Sequence, residues 1–191
     1  MSIGEQIEGD RMKDKNNLIA NGVIQAAALM EIAARTAPKS RGEDFIEVKT
    51  ISGKAVRELA DAMIKFGKEK NKKNFDRDGR NVAASEAVML VGLNNSTSLG
   101  LDCGACGHPD CASFDKAERY DGEFRGPFCS YRLVDLGIAI GSAVKTAQML
   151  NIDNRVMYRA GAAARWIGLV DWDYVLGIPL SATGKNIFFD R

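Results

Sequence analysis

One α+β domain is the architecture this chain predicts, and three observations carry it. Its 191 residues suit a single domain of roughly 150 residues with a small appendage. Hydrophobic residues make up 46% of the sequence, enough for a core and too many for a disordered chain. Segments with helical apolar spacing alternate with a few short strand-like runs, and no repeat or low-complexity stretch interrupts them. The 26 Lys plus Arg nearly balance the 25 Asp plus Glu, for a formal charge of +1. That balance lacks the basic excess of a nucleic-acid binder. No unbroken apolar run reaches the ~18 residues that span a bilayer. Residues 1–15 lack the basic start and apolar centre of a secretory signal. The expectation is a soluble, cytoplasmic protein that binds neither nucleic acid nor membrane.

Residues 1–14 read as a mobile leader. Over residues 16–35, Leu18, Ile19, Val23, Ala26, Ala27, Met30 and Ala33 recur at helical spacing, with Asn16 or Asn17 as cap and Pro38 as stop. Residues 39–44 form a polar loop, and residues 45–51 alternate as a strand with Ile46, Val48 and Thr50 on one face. Ser52 is placed to cap a second helix striped by Val56, Leu59, Ala60, Met63, Ile64 and Gly67. Residues 68–80 have few apolar positions and predict an exposed helix end and loop. Their cluster of Lys68, Lys70, Lys72 and Lys73 fits a phosphate site or a solvated terminus favoured by the helix dipole.

Ala87–Leu93 predicts a buried strand, ended by Asn94-Asn95-Ser96. Residues 131–150 make the most apolar helix. Leu133, Leu136, Ile140, Val144 and Ala147 share it with Ile138 and Met149 on other faces, so a central helix covered on most sides is expected. Its Gly137, Ala139, Gly141 and Ala143 leave room for close packing or a flat ligand. Residues 159–169 predict a short helix, and 174–178 a last strand ended by Pro179. Residues 187–189 read as a terminal strand able to cross to a partner chain. Trp166 and Trp172 fit a core or an interface.

The chemistry concentrates in four cysteines, Cys103, Cys106, Cys111 and Cys129, spaced C-x2-C-x4-C-x17-C. In a reducing compartment such a group holds metal or does redox chemistry. Three close thiolates and a remote fourth suit a 4Fe-4S cluster. Gly104 and Gly107 let the loop turn back and aim N–H groups at cluster sulfides. Pro109 stiffens the turn before Cys111. Zinc is the alternative, although four-cysteine zinc sites usually come as two CxxC halves, which this spacing lacks. His108, the lone histidine, is a candidate for tuning the site or simply a residue of the turn.

The run Cys103-Gly104-Ala105-Cys106-Gly107-His108-Pro109-Asp110-Cys111-Ala112-Ser113-Phe114 resembles the CGxCGxPxCxxF motif of iron–sulfur domains in corrinoid iron–sulfur proteins and in the Rnf-complex B subunit. The resemblance spans about thirty residues and implies cluster ligation by Cys103, Cys106, Cys111 and Cys129. The whole chain is similar to a family of ferredoxin-domain-containing proteins from anaerobic prokaryotes.

A second resemblance covers the rest. Ala33-Ala34-Arg35-Thr36-Ala37-Pro38-Lys39-Ser40, then Leu133-Val134-Asp135-Leu136-Gly137-Ile138-Ala139, then Val175-Leu176-Gly177-Ile178-Pro179, look like successive segments of FMN-dependent nitroreductases. It implies a nitroreductase-like domain over residues 1–191, with a central mixed sheet and a buried central helix. The cysteine loop, residues 100–130, is then an insertion. It also implies a homodimer with FMN at the subunit interface. The family's R-x-S-x-R motif before the first helix is absent, and Arg41-Gly42-Glu43-Asp44 replaces the Asn and Gln after the APS segment. Arg35, Lys39, Ser40, Arg41 and Lys185 are the candidate phosphate ligands in their place. The expected function is an electron-transfer oxidoreductase pairing cluster and flavin, working with an electron-donor or acceptor protein or a small redox substrate. A ferredoxin-like carrier without flavin, or a metal-stabilised binding module, is the other reading.

Overall fold

Apolar runs of strand length are few, and the computed structural model joins three of them, with a short polar strand at one edge, into one four-stranded sheet. It describes residues 3–189, with side chains from residue 18 onward. The strands are β1 (Ile46–Ser52), β2 (Ala87–Leu93), β5 (Asp153–Asn154) and β6 (Tyr174–Ser181), in the order β1-β2-β6-β5. A separate hairpin pairs β3 (Tyr120–Asp121) with β4 (Arg125–Gly126). Where a mixed sheet is expected, every described pairing is antiparallel. The register explains this: Ser52 pairs with Ala87 and Leu93 with Tyr174. Each connection returns the chain to the sheet end it left, so neighbouring strands reverse.

All seven residues of β2 are buried, because helices cover both sheet faces. Ala87, Met89, Val91 and Leu93 face one core, built with α1 (Ile3–Thr36) and α5 (Ser130–Met149). Val88 and Leu90 face the other, built with α2 (Lys54–Glu69), α3 (Phe75–Ala83) and α6 (Tyr158–Trp166). A strand covered on both sides is apolar throughout, and each large side chain buried there contributes about 1.5–3 kcal/mol. The closest contact in the second layer is backbone on backbone. A Cβ on Gly161 in α6 would sit 1.9 Å from the Val175 carbonyl oxygen.

Several boundaries differ from expectation. The first helix starts at Ile3, so the residues expected as leader are helical from there, and Asn16 and Asn17 lie within the helix rather than capping it; residues 1 and 2 lie outside the described residues. Gly53, with φ 58°, precedes α2, and no side chain caps that end, so Ser52 is not its cap. Residues 75–83 form α3 instead of a loop, burying Phe75, Asp78, Gly79 and Val82 at helical spacing. The last strand runs on through Pro179 to Ser181. Gly177 bonds to Met157 on the β5 side, and Pro179 turns its missing N–H to that same side, where β5 pairs only with Leu180 and Ser181. Residues 187–189 are not a strand, and Phe188 is buried in its own chain's second core.

The central helix α5 buries Leu136, Ala139, Ile140, Ala143 and Ala147. Its other face is open: Leu133, Val134 and Ile138 are exposed, and a Cβ at Gly137 or Gly141 would meet nothing within 4 Å. The neighbouring helix α1 is alike. Within it Leu18–Thr36, mean hydropathy 1.3, is long and apolar enough to cross a membrane by length and composition. This corrects the expectation of no such stretch, since an average passes where a count of unbroken apolar residues fails. Only 28% of that stretch is buried, through Val23, Ala26, Ala27, Met30 and Ala34; Leu29 and Ile32 are exposed beside the open face of α5.

The β3–β4 hairpin docks on α6 through Arg165, whose guanidinium donates to Asp121 at 2.6 Å and to the Gly122 carbonyl at 3.2 Å. The Arg165 hydrogen bond, with the charges of Arg165 and Arg125, holds the Asp121 carboxyl below its usual range. Hairpin anchoring is thus fully present above the unfolded carboxyl value, ~3.9, and is lost as pH falls through the lower folded value. Amide exchange at Gly122 is expected to accelerate at pH ~2 relative to pH ~5 beyond its intrinsic pH trend, and Asp121→Asn to remove that excess. Gly161→Ala is expected to cost more than about 3 kcal/mol in urea unfolding, because backbone must move to admit the methyl group.

Candidate metal centre

All four cysteines lie in the connection from β2 to α5. That connection also contains a short helix, α4 (Cys111–Asp115), and the hairpin. Asp102, Gly104 and Gly107 take positive φ, at 49°, 69° and 87°, so the loop curls around Cys103 and Cys106. Gly107 N–H closes the turn on the Gly104 carbonyl at 2.9 Å. Asp102 clasps Cys111 in both directions. Its carboxylate accepts the Cys111 N–H at 2.8 Å, and its own N–H reaches the Cys111 Sγ at 3.3 Å. Asp110 caps α4, accepting the Ser113 N–H at 2.7 Å. Cys129 is the N-cap residue of α5, and Ser130 Oγ donates to the Ala105 carbonyl at 2.8 Å, tying the fourth cysteine to the loop of the first two.

The four thiols are free; Cys129 is buried, Cys106 and Cys111 half-buried, and Cys103 exposed. All four line one narrow hollow of about 10 Å3. Leu99, Phe114 and Cys129, with Cys106 against them, form a small apolar nucleus under it. Among the described residues, no three His, Cys, Asp or Glu side chains gather as a group able to hold a metal ion. The thiols ring the hollow instead. This donor set fits a polynuclear cluster, whose thiolate negative charge needs compensation. The 20-residue helix α5 turns its partly positive N-terminus toward the site at Cys129, and the Asp102 N–H points at sulfur. His108 stands edge-on to Phe114, centroids 5.6 Å apart, which accounts for it as packing.

Buried charges pin this segment to the sheet. Asp173, 0% exposed, accepts the Asn95 N–H at 2.8 Å, Arg119 at 2.8 Å and Arg125 at 3.2 Å. Arg132, also 0% exposed, donates to the carbonyls of Thr97 at 3.2 Å and Ser40 at 3.0 Å, and pairs with Glu43. Sequence reading missed Arg119, Arg125, Arg132 and Asp173, because their partners are far away in the chain. The one available signal was charge inside apolar segments, at Arg132 and Asp135.

The five candidate phosphate residues do not form one cradle within a chain. Lys39 Nζ donates to the Ala34 carbonyl at 3.0 Å and to the Arg35 carbonyl, finishing α1. Ser40 gives its hydroxyl and N–H to Asp135 Oδ1, at 2.7 and 2.9 Å. Arg41 donates to the Leu99 carbonyl at 3.0 Å. Arg35 bonds to the Ile46 carbonyl and pairs with Glu47 at 3.6 Å. These four cluster at the Ile46 end of the sheet. Lys185 follows β6 beyond its opposite end, about 23 Å away by strand rise.

A nitroreductase-like α+β domain with four cysteines before its central helix is the class that this fold and site define. Solved structures agree. A nitroreductase-like family protein from Bacillus cereus superposes with a TM-score of 0.55 at 13% identity, over 85% of this chain and 75% of that one. An FMN complex of a putative nitroreductase from Desulfovibrio desulfuricans gives 0.54 at 13% identity, over 87% and 78%. The nitroreductase NfnB from Mycobacterium smegmatis, solved with NADPH, gives 0.54 at 11%, over 84% and 78%. At such identities the likeness is one of fold. Sequence is more specific. A protein from Archaeoglobus fulgidus, named "Uncharacterized protein", is 47% identical over 170 residues, 89% of this chain and 92% of the relative. Residues 125–191 match the family described as "Uncharacterized protein containing a ferredoxin domain" (DUF2148). This chain belongs to that ferredoxin-domain family; the matched residues include Cys129.

Replacing Asp173 by Ala leaves Arg119, Arg125 and the Asn95 N–H without their acceptor. A loss of about 3–5 kcal/mol is expected. Limited proteolysis should then cut residues 95–128 at denaturant concentrations that leave β2 intact.

Proposed function

We propose that this protein is an iron–sulfur redox protein in which Cys103, Cys106, Cys111 and Cys129 hold a 4Fe-4S cluster. The convergence of four free thiols on one hollow carries this reading. When bound, such a cluster supplies one-electron transfer. The chain's own residues hold and shield it: Leu99 and Phe114 keep water from Cys129, and the exposed Cys103 leaves one side open to an electron partner in the cytoplasm.

In the enzyme form of the reading, FMN sits between two copies paired through the open faces of α1 and α5. Leu29, Ile32, Val134 and Ile138 are exposed there, and the nitroreductase-like fold supports the arrangement. A two-fold axis perpendicular to α5 would bring the Lys185 end of one copy toward residues 39–41 of the other, completing the phosphate set. A small redox substrate would then exchange electrons with the flavin. The carrier reading, a ferredoxin-like module without flavin, is favoured by one observation: Lys39, Ser40 and Arg41 already spend their polar groups inside the chain.

Protein purified without oxygen is expected to contain ~4 iron and ~4 acid-labile sulfide per chain, and to sediment as a dimer. Flavin in the same sample selects the enzyme form, and its absence selects the carrier. Cys129→Ser should lose the iron without loss of apo-protein stability, since serine is the better N-cap. A colourless protein with about one zinc per chain would falsify the reading.

A further inference from the structure

A hollow lies on the α2–α3–α6 side of the sheet, away from the open α1–α5 face. It encloses about 580 Å3, within the range of small-molecule sites. Phe66, Ala162 and Trp166 give it an apolar, aromatic wall, and the β3–β4 hairpin forms its opposite side. Phe66 and Trp166 pack edge to face, centroids 5.4 Å apart, and Trp166 is half-buried, so indole surface faces the hollow.

Four cations and three carboxylates ring this wall. Lys72 pairs with Glu123, Arg165 with Asp121 at 2.6 Å, and Arg125 with Asp171 at 3.0 Å. Among the described residues, the Lys70 ammonium makes no ion pair or side-chain hydrogen bond. It stands at the C-cap of α2, and it belongs to the lysine cluster whose role the sequence left open. The dipole of α2 explains a cation at this terminus. It does not explain an aromatic hollow beside an unpaired charge.

We propose that this cleft binds a flat organic monoanion, an aryl or heteroaryl carboxylate, with its ring against Trp166 and Ala162 and its carboxylate on Lys70. One excess positive charge matches one carboxylate, and the three ion pairs hold the rim in place without needing to break. The hairpin belongs to the segment carrying the chain from Cys111 to Cys129, so the cleft and the cysteines share one structural support. The proposal does not depend on the metal or flavin reading.

Isothermal titration of the anaerobically purified protein with 2-naphthoate, and with 2-naphthamide as its neutral counterpart, tests this. One 2-naphthoate per chain is expected, bound about tenfold more tightly than the amide, as a charge-assisted hydrogen bond implies. Lys70→Gln, an exposed change, should bring 2-naphthoate down to the affinity of the amide. Trp166→Ala should weaken both. Equal affinity for the two probes, no binding at millimolar probe, or unchanged 2-naphthoate affinity in Lys70→Gln each overturns the proposal.

Discussion

A single carboxylate without access to water holds the cysteine-bearing segment in place. Asp173 immediately precedes β6 and takes donors from three points of that segment: the Asn95 backbone, Arg119 and Arg125. Lifting the segment would strand an uncompensated buried charge, a cost of several kcal/mol. The segment is 35 residues of mostly irregular chain from 95 to 129, with few large apolar side chains of its own. Its position is therefore set by charge pairing rather than by core. That matters for the thiols, because Cys129 belongs to α5 while Cys103, Cys106 and Cys111 ride on the loop. Asp173 and the Ser130–Ala105 bond bring the two parts to one hollow.

Arg132 has the corresponding role on the other side. Its guanidinium joins the turn at residues 40–43, the loop at 97–99 and the first turn of α5. Arg41 adds a second tie to the same loop through the Leu99 carbonyl, and Leu99 packs against Cys129. The turn that in the resembled family would face flavin and the loop that carries the thiols thus share side chains. A displacement of either is felt by the other through contacts that cannot be dropped singly without leaving a buried donor unpaired.

What the sequence disclosed follows the range of the forces involved. β2 was legible to the residue because burial on both faces makes a strand uniformly apolar, and α5 was placed within one residue because apolar positions recur along its whole length. The cysteine spacing was legible because its turn chemistry is local. α3 was hidden because Asp78 occupies a core-facing position, made tolerable by the adjacent Arg77 together with Arg159, 81 residues away. Asp173, Arg119 and Arg125 were hidden likewise, their partners being 48 and 54 residues apart. Local pattern cannot show a charge whose compensation is distant. The uncovered face of α5 was misjudged for a different reason: apolarity says that a face is to be covered, not by which chain.

The residues picked out for phosphate show the same limit from the opposite direction. Arg35, Lys39, Ser40 and Arg41 do gather at one end of the sheet, as their sequence proximity demands. A phosphate ligand, however, needs donors that are free to turn outward. Lys39 has only 6% of its side chain exposed, and its ammonium satisfies carbonyls at the end of α1 that would otherwise go unpaired. Ser40 satisfies Asp135, whose second oxygen is already buried without a hydrogen bond. Taking either side chain for a phosphate would leave such groups orphaned, at about 1–3 kcal/mol each. The charge-assisted bonds to a phosphate are of similar size. Within one chain the exchange is therefore near balance. Binding energy for a flavin phosphate at this turn has to come from additional donors, and the backbone N–H groups of the turn and the side chains of a second copy are the places where such donors can be found.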